Sequence, residues 1–241
     1  EAGRIVAQAL TAVKAQADMG VSLRELDRIA ADVISDAGAK PAFLGYHPRW
    51  ASTPFGGVIC ASVNDAVVHG VPNDYQLSSG DLASIDCGAF LDGWCGDAAI
   101  SFIVGTAAPV DTALIEAADA ALAAGIAAAQ PGAHVGDIGH AISAHVRAAG
   151  YGMLADHGGH GIGRAMHESP HVPNEGTGGH GMLLEPGLVI AIEPMLIIGG
   201  TDDYYTGADG WTLLTASGAR AAHSEHTVAV TEDGPIVLTV A

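Results

Sequence analysis

The sequence LASIDCGAFLDGWCGDAAISFIV, residues 82–104, sets the framework of the predicted fold. Residues 82–91 and residues 94–104 are both rich in apolar side chains and have the length of a β-strand. Asp92-Gly93 separates them, and this dipeptide is a strong signal for the two-residue turn of a β-hairpin. We therefore predict two long antiparallel strands joined by a tight turn.

Two carboxylates of this hairpin are predicted to share one face. A two-residue turn places Asp86 opposite Ala99, and Asp97 then lies two residues along on the same face. Diagonal neighbours of this kind are about 7–8 Å apart at the backbone, which is within converging reach of their side chains. We therefore expect Asp86 and Asp97 to bind one ligand together.

The rest of the chain indicates helices before the hairpin and a repetition of the pattern after it. Residues 1–19 have an apolar stripe at helical spacing, and Ser22-Leu23-Arg24-Glu25 is a capping box that begins a second helix, which Gly38 ends. A shift of 112 residues aligns, without a gap, Gly20, Leu23, Glu25, Leu26, Ile34 and Gly38 with Gly132, Val135, Asp137, Ile138, Val146 and Gly150. We therefore predict a duplicated α/β (α+β) fold in a single domain, residues 1–241, with pseudo-symmetric halves of about 1–105 and 106–241 and a site between them.

The composition limits the class of protein and its partners. Of the 241 residues 49% are hydrophobic, enough for a sizeable core, and no run of about 18 apolar residues lacks charges. The 27 acidic and 9 basic residues give a net charge of −18, which repels a phosphate backbone. The three cysteines form no C-x-x-C pair and suit a reducing compartment, and no signal peptide is visible. We expect a cytoplasmic protein that binds neither nucleic acid nor membranes.

Buried carboxylates without a nearby cation indicate a metal site. Asp86 and Glu193 lie in apolar, strand-like segments, where a charge costs several kcal/mol unless it is paired or metal-bound. One such carboxylate is most simply a hydrogen-bonded core acid, but Asp97 adds a third, and the span 50–146 contains no Lys or Arg. A carboxylate-rich set with one imidazole favours Mn, Fe, Co or Zn, and bridging carboxylates favour two ions. Glu225 would complete this set.

Residues 158–170, GGHGIGRAMHESP, place two histidines among closely spaced glycines. Glycine lets the backbone approach a ligand, and a histidine there can present its ring to a metal or a substrate. The spacing G-x-G-x-G differs from the dinucleotide-binding pattern G-x-G-x-x-G, and no apolar helix follows. His167-Glu168-Ser169-Pro170-His171 matches the zinc-protease motif H-E-x-x-H, but Pro170 opposes the helix that this motif requires. We therefore treat both matches as accidental.

The Pro/Gly-rich segment 41–57 is unusually aromatic for this chain. Its aromatic residues are Phe43, Tyr46, Trp50 and Phe55. They indicate either a loop that packs its own aromatic rings or the wall of a binding pocket, and the sequence leaves both interpretations open.

Nine segments, in order along nearly the whole chain, carry a family resemblance. They are SVND (62–65), HGVP (69–72), SID (84–86), DGWCGD (92–97), GHGIGR (159–164), MHE (166–168), IEPM (192–195), DGWT (209–212) and EHT (225–227). Together they resemble the type I methionine aminopeptidases. The resemblance implies the pita-bread fold, in which two pseudo-symmetric halves surround a dinuclear metal site.

The resemblance also implies a role for each matching residue. The implied metal ligands are Asp86, Asp97, His160, Glu193 and Glu225, of which Asp97 and Glu225 bridge two divalent ions. The implied catalytic residues are His69 and His167, which contact the scissile peptide, and Glu193, which transfers a proton. The implied walls of the methionine pocket are Phe43, Tyr46, Phe55, Cys60, Met166 and Trp211.

The implied activity is metal-dependent removal of the N-terminal methionine from nascent proteins and peptides, preferentially when the second residue is small. The expected enzyme is a monomer that meets its substrates at the ribosome. Proline-specific aminopeptidases and prolidases share the fold and are the alternative, but they usually carry an additional N-terminal domain, for which we expect no room. A non-catalytic relative would be expected to have lost metal ligands.

Two departures from the family pattern lie near the expected site. Cys95 stands where relatives commonly have a histidine, which places a thiol near the metals. Several extra residues lie between His47 and Gly57, beside the expected pocket.

Overall fold

The computed structural model describes residues 1–240 and contains four helices and fifteen strands there. The helices are α1 (Ala2–Gln16), α2 (Leu23–Asp36), α3 (Pro109–Ala128) and α4 (Val135–Ala148). The strands are β1 (Lys40–Pro41), β2 (Ile59–Val63), β3 (Ala66–Val68), β4 (Leu82–Leu91), β5 (Trp94–Ile103), β6 (Gly152–Met153), β7 (Gly158–Gly161), β8 (Glu168–Pro173), β9 (Val189–Ile192), β10 (Met195–Ile197), β11 (Tyr204–Thr206), β12 (Leu213–Thr215), β13 (Ala221–His223), β14 (Glu225–Thr231) and β15 (Gly234–Val237).

The predicted hairpin is the pair β4–β5. The two strands are antiparallel along their full length, with Asp86 opposite Ala99 and Gly88 opposite Asp97, as predicted. Asp92 and Gly93 both have positive φ angles, 51° and 77°. A type I′ turn requires this backbone at both central residues, and its twist matches the twist of the two strands.

The hairpin belongs to a nine-stranded sheet that contains the candidate ligands. Its strand order is β1-β4-β5-β14-β9-β7-β8, with β2 also paired to β4 and β15 to β14. Two three-stranded sheets, β13-β10-β6 and β11-β12-β3, complete the strand architecture. The strand β14 lies between β5 and β9, so the last part of the chain joins strands from the two predicted halves.

The helices form where the sequence predicts them. Both hydrogen bonds of the capping box between Ser22 and Glu25 are present at the start of α2, and Gly38 follows its end with φ of 71°. Helix α1 ends at Gln16 rather than at the predicted residue 19. Its buried residues, which include Ile5 and Leu10, confirm the predicted apolar stripe.

The core consists of two main groups of buried side chains. In the first, α1 and α2 pack against β2, β4 and β5; in the second, α3 and α4 pack against strands that include β9 and β14. The division of the chain into halves near residue 105 agrees with this order of elements and stays a prediction. No described helix combines the length and the hydropathy that a membrane crossing requires.

The span 50–146 contains no Lys or Arg, and one of its acids pairs with an arginine from another part of the chain. Asp111, in the first turn of α3, is only 2% exposed. Its carboxylate accepts a hydrogen bond from the Arg220 guanidinium, with a distance of 2.7 Å between Nη1 and Oδ2. This ion pair compensates the charge of one buried acid through Oδ2, although Asp111 Oδ1 has no hydrogen-bond partner within residues 1–240, and no Lys or Arg pairs in this way with the acids of the sheet there.

Candidate metal centre

The five predicted metal ligands lie in, or directly beside, five strands that follow one another in the large sheet. They are Asp86 in β4, Asp97 in β5, Glu225 at the start of β14, Glu193 directly after β9 and His160 in β7. Ala99 of β5 lies opposite both Asp86 and Glu225, so the two acids flank it in one row across three strands. Residues far apart in the chain therefore converge because their strands are adjacent.

The side chains of this cluster are close enough to share cations. One ligand atom each from Asp97, His160 and Glu225 lies within 4.8 Å of the others. The Nε2 atom of His160 is also 3.7 Å from Oε1 of Glu193. A second group within the same 4.8 Å limit consists of Glu193, His223 and Glu225. Glu225 belongs to both groups, which is the arrangement expected of a bridging ligand.

The buried carboxylates are held in an environment that opposes their charge. Burial raises the pKa of Asp97 to about 7. Burial, together with repulsion from neighbouring carboxylates, raises the pKa values of Asp86, Glu193 and Glu225 well above their ordinary values. Within residues 1–240 no Lys or Arg forms an ion pair with any of these four acids.

Unpartnered polar atoms at the centre of the cluster fit a bound cation. Asp86 Oδ1, Asp97 Oδ1 and Glu225 Oε1 are buried and have no hydrogen-bond partner within residues 1–240. Leaving such atoms unsatisfied costs free energy, and a divalent cation satisfies several carboxylate oxygens at once. The donor set of four carboxylates and at least one imidazole suits Mn, Fe, Co or Zn.

The backbone of β7 explains why the segment around His160 is rich in glycine. A Cβ atom on Gly159 would overlap the carbonyl oxygen of Ala191 in β9, and one on Gly161 would overlap that of Ser169 in β8. Only glycine permits this close approach of three strands. The H-E-x-x-H match lies at the start of β8 rather than in a helix, so its rejection as a zinc-protease motif is confirmed.

Three histidines of the site are neutral at neutral pH. Desolvation lowers the pKa of His69, His160 and His167 to about 4. The Nδ1 atom of His160 is 3.0 Å from the carbonyl oxygen of Gly161, which leaves Nε2 directed towards Glu193. A hydrogen bond of this kind selects the tautomer whose Nε2 is free to bind a metal.

The two predicted substrate histidines lie beside the carboxylates. The ring of His167 is 4.2 Å from that of His160, and its Nδ1 is 2.9 Å from the hydroxyl of Tyr46. His69 adopts a left-handed backbone with φ of 59°. A side chain other than glycine rarely occupies that conformation, and such strain is concentrated at functional sites.

A cavity of about 250 Å³ opens onto the carboxylate cluster. Its lining contains all thirteen predicted site residues, and also Trp50: Phe43, Tyr46, Trp50, Phe55, Cys60, His69, Asp86, Asp97, His160, Met166, His167, Glu193, Trp211 and Glu225. Apart from the carboxylates and histidines, the lining is apolar and aromatic, and Phe43, Phe55, Cys60, Met166 and Trp211 belong to one group of buried side chains.

The aromatic segment 41–57 both packs on itself and forms the wall of this cavity. Phe43 and Phe55 meet edge to face at 6.4 Å, and Phe55 lies 5.1 Å from Trp211. The ring of Trp50 also lies 5.0 Å from that of Trp211, although Trp50 is 65% exposed. The two interpretations that the sequence left open are therefore both correct.

Two residues at the site were not assigned from the sequence. Trp50 belongs to the extra residues between His47 and Gly57, so no family motif covered it. His223 is two residues before Glu225, and this alternation along an extended chain could have placed it on the same face. Burial lowers the pKa of His223 to about 3.

Cys95 is a less reactive group than its position suggested. The thiol is buried, with 8% exposure, and lies among the aromatic residues of the cavity wall. Desolvation and the charge of Asp97 raise its pKa above the ordinary value. Because the thiolate is the reactive form, this environment opposes oxidation and metal binding by Cys95.

Comparisons with known proteins agree with this geometry. The model of metallopeptidase family M24 matches residues 1–232. The chain is 53% identical to methionine aminopeptidase 1 of Mycobacterium tuberculosis, over 99% of this chain and 90% of the relative. It is 44% identical to the methionine aminopeptidase of Aquifex aeolicus, over 99% of this chain and 93% of that relative.

Solved structures show the same fold. The crystal structure of methionine aminopeptidase from Rickettsia prowazekii superimposes with a TM-score of 0.94 at 36% identity, covering 99% of this chain and 94% of that one. Prolidase from Pyrococcus furiosus superimposes with a TM-score of 0.77 at 24% identity, covering 100% of this chain and 62% of that one, and this likeness shows the fold alone. The predicted fold class, the pita-bread fold, is confirmed.

Proposed function

Because this chain belongs to metallopeptidase family M24, we propose that it removes the N-terminal methionine from proteins and peptides, preferentially when the second residue is small. The relatives bear out the resemblance to the type I methionine aminopeptidases. The observation that carries the proposal is that one cavity is lined both by apolar, aromatic side chains and by a cluster of carboxylates with unpartnered oxygens. One end of such a cavity suits an apolar side chain, and the other suits a metal-assisted hydrolysis.

Two divalent ions, Mn, Fe, Co or Zn, complete the proposed site. The residues that hold them are Asp86, Asp97, His160, Glu193 and Glu225. When bound, such ions supply Lewis-acid polarisation of the scissile carbonyl group. Asp97 and Glu225 would contribute to holding both ions; for Glu225 this is supported by its membership of both ligand groups.

The aromatic wall is proposed to bind the methionine side chain. Phe43, Phe55 and Trp211 are each at most 6% exposed, so their rings are held in place by the surrounding structure. The Trp211 indole N–H donates to the carbonyl oxygen of Thr53 at 3.1 Å, which fixes the plane of its ring. Aromatic rings contact a thioether sulfur favourably, and Met166 and Cys60 add soft, polarisable surface.

The two substrate histidines are proposed to contact the scissile peptide. The Tyr46 hydroxyl, 2.9 Å from His167 Nδ1, donates to that nitrogen when Nε2 carries the ring proton. His167 can then donate from Nε2 to the oxyanion of the tetrahedral intermediate. His69 is proposed to contact the amide nitrogen, and Glu193 to transfer the proton to the leaving amine.

The proposed setting follows from the activity and the charge of the chain. We propose a monomer in the cytoplasm whose substrates are the N-termini of nascent polypeptides, met at the ribosome. A net charge of −18 opposes direct binding of the chain to nucleic acid. Encounter with the substrate therefore depends on the peptide rather than on ribosomal RNA.

The test compares two peptides and two metal states. Purified protein with Mn or Co should release methionine from Met-Ala-Ser and leave Leu-Pro-Ala nearly intact, and a chelator should abolish the release until metal is returned. An Asp97→Ala variant should be inactive in both states. A higher kcat/KM for Leu-Pro-Ala would instead assign the chain a proline-specific activity, and full activity without metal would overturn the proposal.

A further inference from the structure

His223 lies beside the carboxylate cluster and is held there by its backbone. Its amide N–H donates to Ser101 Oγ at 3.0 Å, and the Ser101 hydroxyl donates to the carbonyl oxygen of His223 at 2.8 Å. His223 also pairs with Met195, two residues beyond Glu193. The position of the ring at the end of β13 is therefore set by both neighbouring segments.

The ring nitrogen of His223 points at two carboxylates without bonding to either. Its Nε2 atom is 3.6 Å from Glu193 Oε2 and 3.9 Å from Glu225 Oε2. The side chain is only 2% exposed, and Nε2 is a buried atom without a hydrogen-bond partner. Buried polar atoms normally have partners, so an unpartnered one that faces two carboxylate oxygens needs an explanation.

These separations suit three atoms that share one cation. Two ligand atoms that each lie about 2.1 Å from a metal are separated by at most about 4.2 Å, and by about 3 Å when they are cis in an octahedron. Both distances from His223 Nε2 fall in this interval and are too long for a good hydrogen bond. The three residues form one of the two ligand groups at this site.

We propose that His223 Nε2 is an additional metal ligand, which binds the ion held by Glu193 and Glu225. The inference rests on the proposed function, since it concerns the same pair of ions. With His160 it raises the number of imidazoles at the centre to two. Imidazole suits Zn and Co better than it suits Mg or Ca, so His223 should increase the preference of the site for borderline ions.

The test counts imidazoles and measures affinity, independently of turnover. X-ray absorption of the protein loaded with two zinc ions should give an average of one imidazole per zinc, whereas His160 alone would give one half. His223→Gln should lower this average to one half and weaken zinc at one of the two sites by at least about tenfold in calorimetric titration. His145→Gln, an exposed histidine of α4, is the matched control and should change neither quantity.

The outcomes separate this inference from the proposed function. An average of one half imidazole per zinc in the wild-type protein overturns the role of His223 while leaving the metal centre intact. This measurement does not depend on the folding of any variant. Equal zinc affinity for wild type and His223→Gln, with weaker binding by His160→Gln, has the same meaning. Failure of the wild-type protein to bind zinc at all would overturn both proposals.

Discussion

Asp97→Asn should make the metal-free protein more stable, although it removes a bridging ligand of the proposed centre. Burial raises the pKa of Asp97 from 3.8 to about 7, so the folded chain opposes ionisation of this carboxyl group. A carboxyl group whose folded pKa is raised destabilises the fold when it ionises. The penalty is absent below about pH 4 and is almost complete above about pH 8.

The magnitude follows from these two pKa values. Between about pH 5 and about pH 8, ionisation of Asp97 lowers the free energy of unfolding by about 3 kcal/mol. For a chain of this length that corresponds to about 6–12 °C in Tm. Charge on Asp97 also raises the pKa values of Asp86, Glu193 and Glu225, so removal of that charge relieves repulsion as well.

The assay is thermal unfolding of chelator-treated wild type and Asp97→Asn, at about pH 5 and at about pH 8. The variant should melt above wild type at both pH values, and its advantage should be larger by about 3 kcal/mol at the higher pH, because the buried histidines titrate alike in both proteins and cancel. Asp36→Asn, an exposed acid at the end of α2, should show no such pH dependence. Saturating Mn or Co should reverse the order, since only wild type keeps the full ligand set.

A stability difference between wild type and Asp97→Asn that does not grow with pH would refute this reasoning. It would mean that the charge of Asp97 is already compensated in the metal-free protein. The four carboxylates would then not be held apart from cations in the way that their unpartnered oxygens indicate.

Four further substitutions test individual parts of the site. His167→Ala should lower kcat by about 10²–10³-fold with metal content unchanged, since it removes one oxyanion donor, whereas His160→Ala should lose metal and be partly rescued by excess metal. Metal loss in the first and normal metal content in the second would mean that the two roles are reversed. Tyr46→Phe should lower kcat more than it changes KM, because it frees the ring of His167; an unchanged kcat would exclude Tyr46 as a positioning residue. Gly159→Ala should reduce soluble yield or Tm, because its Cβ would overlap the carbonyl oxygen of Ala191; a normal Tm would show that β7 can move away.

The hairpin and its two acids could be predicted because they depend on local rules. The Asp92-Gly93 turn fixes the register of β4 and β5, and that register fixes which side chains share a face. The ligands from β7, β9 and β14 are different, since no local pattern shows that these strands follow β5 in the sheet. The lack of a nearby cation grouped Glu193 and Glu225 with the two aspartates, and the family resemblance implied all five ligands.

Two residues at the site, Trp50 and His223, could not be assigned from the sequence, and the reasons are physical. The contact of Trp50 with Trp211 joins positions far apart in the chain through a loop without regular structure. The role of His223 depends on the direction of its ring, which a sequence pattern does not determine. Cys95 lies near enough to Asp97 for that charge to affect its pKa, but its burial, which opposes reactivity, is a property of the packed cavity wall that the sequence does not show.

The position of β14 in the middle of the sheet has a consequence for the synthesis of this protein. While a ribosome has not yet made residues 225–231, β5 and β9 lack the strand that joins them and each presents an open edge. Unpaired edges of this kind pair readily with other chains. The growing polypeptide therefore presents an edge that favours aggregation until this strand is made, and insertion of one late strand closes both edges and brings Glu225 to the candidate metal centre in the same event.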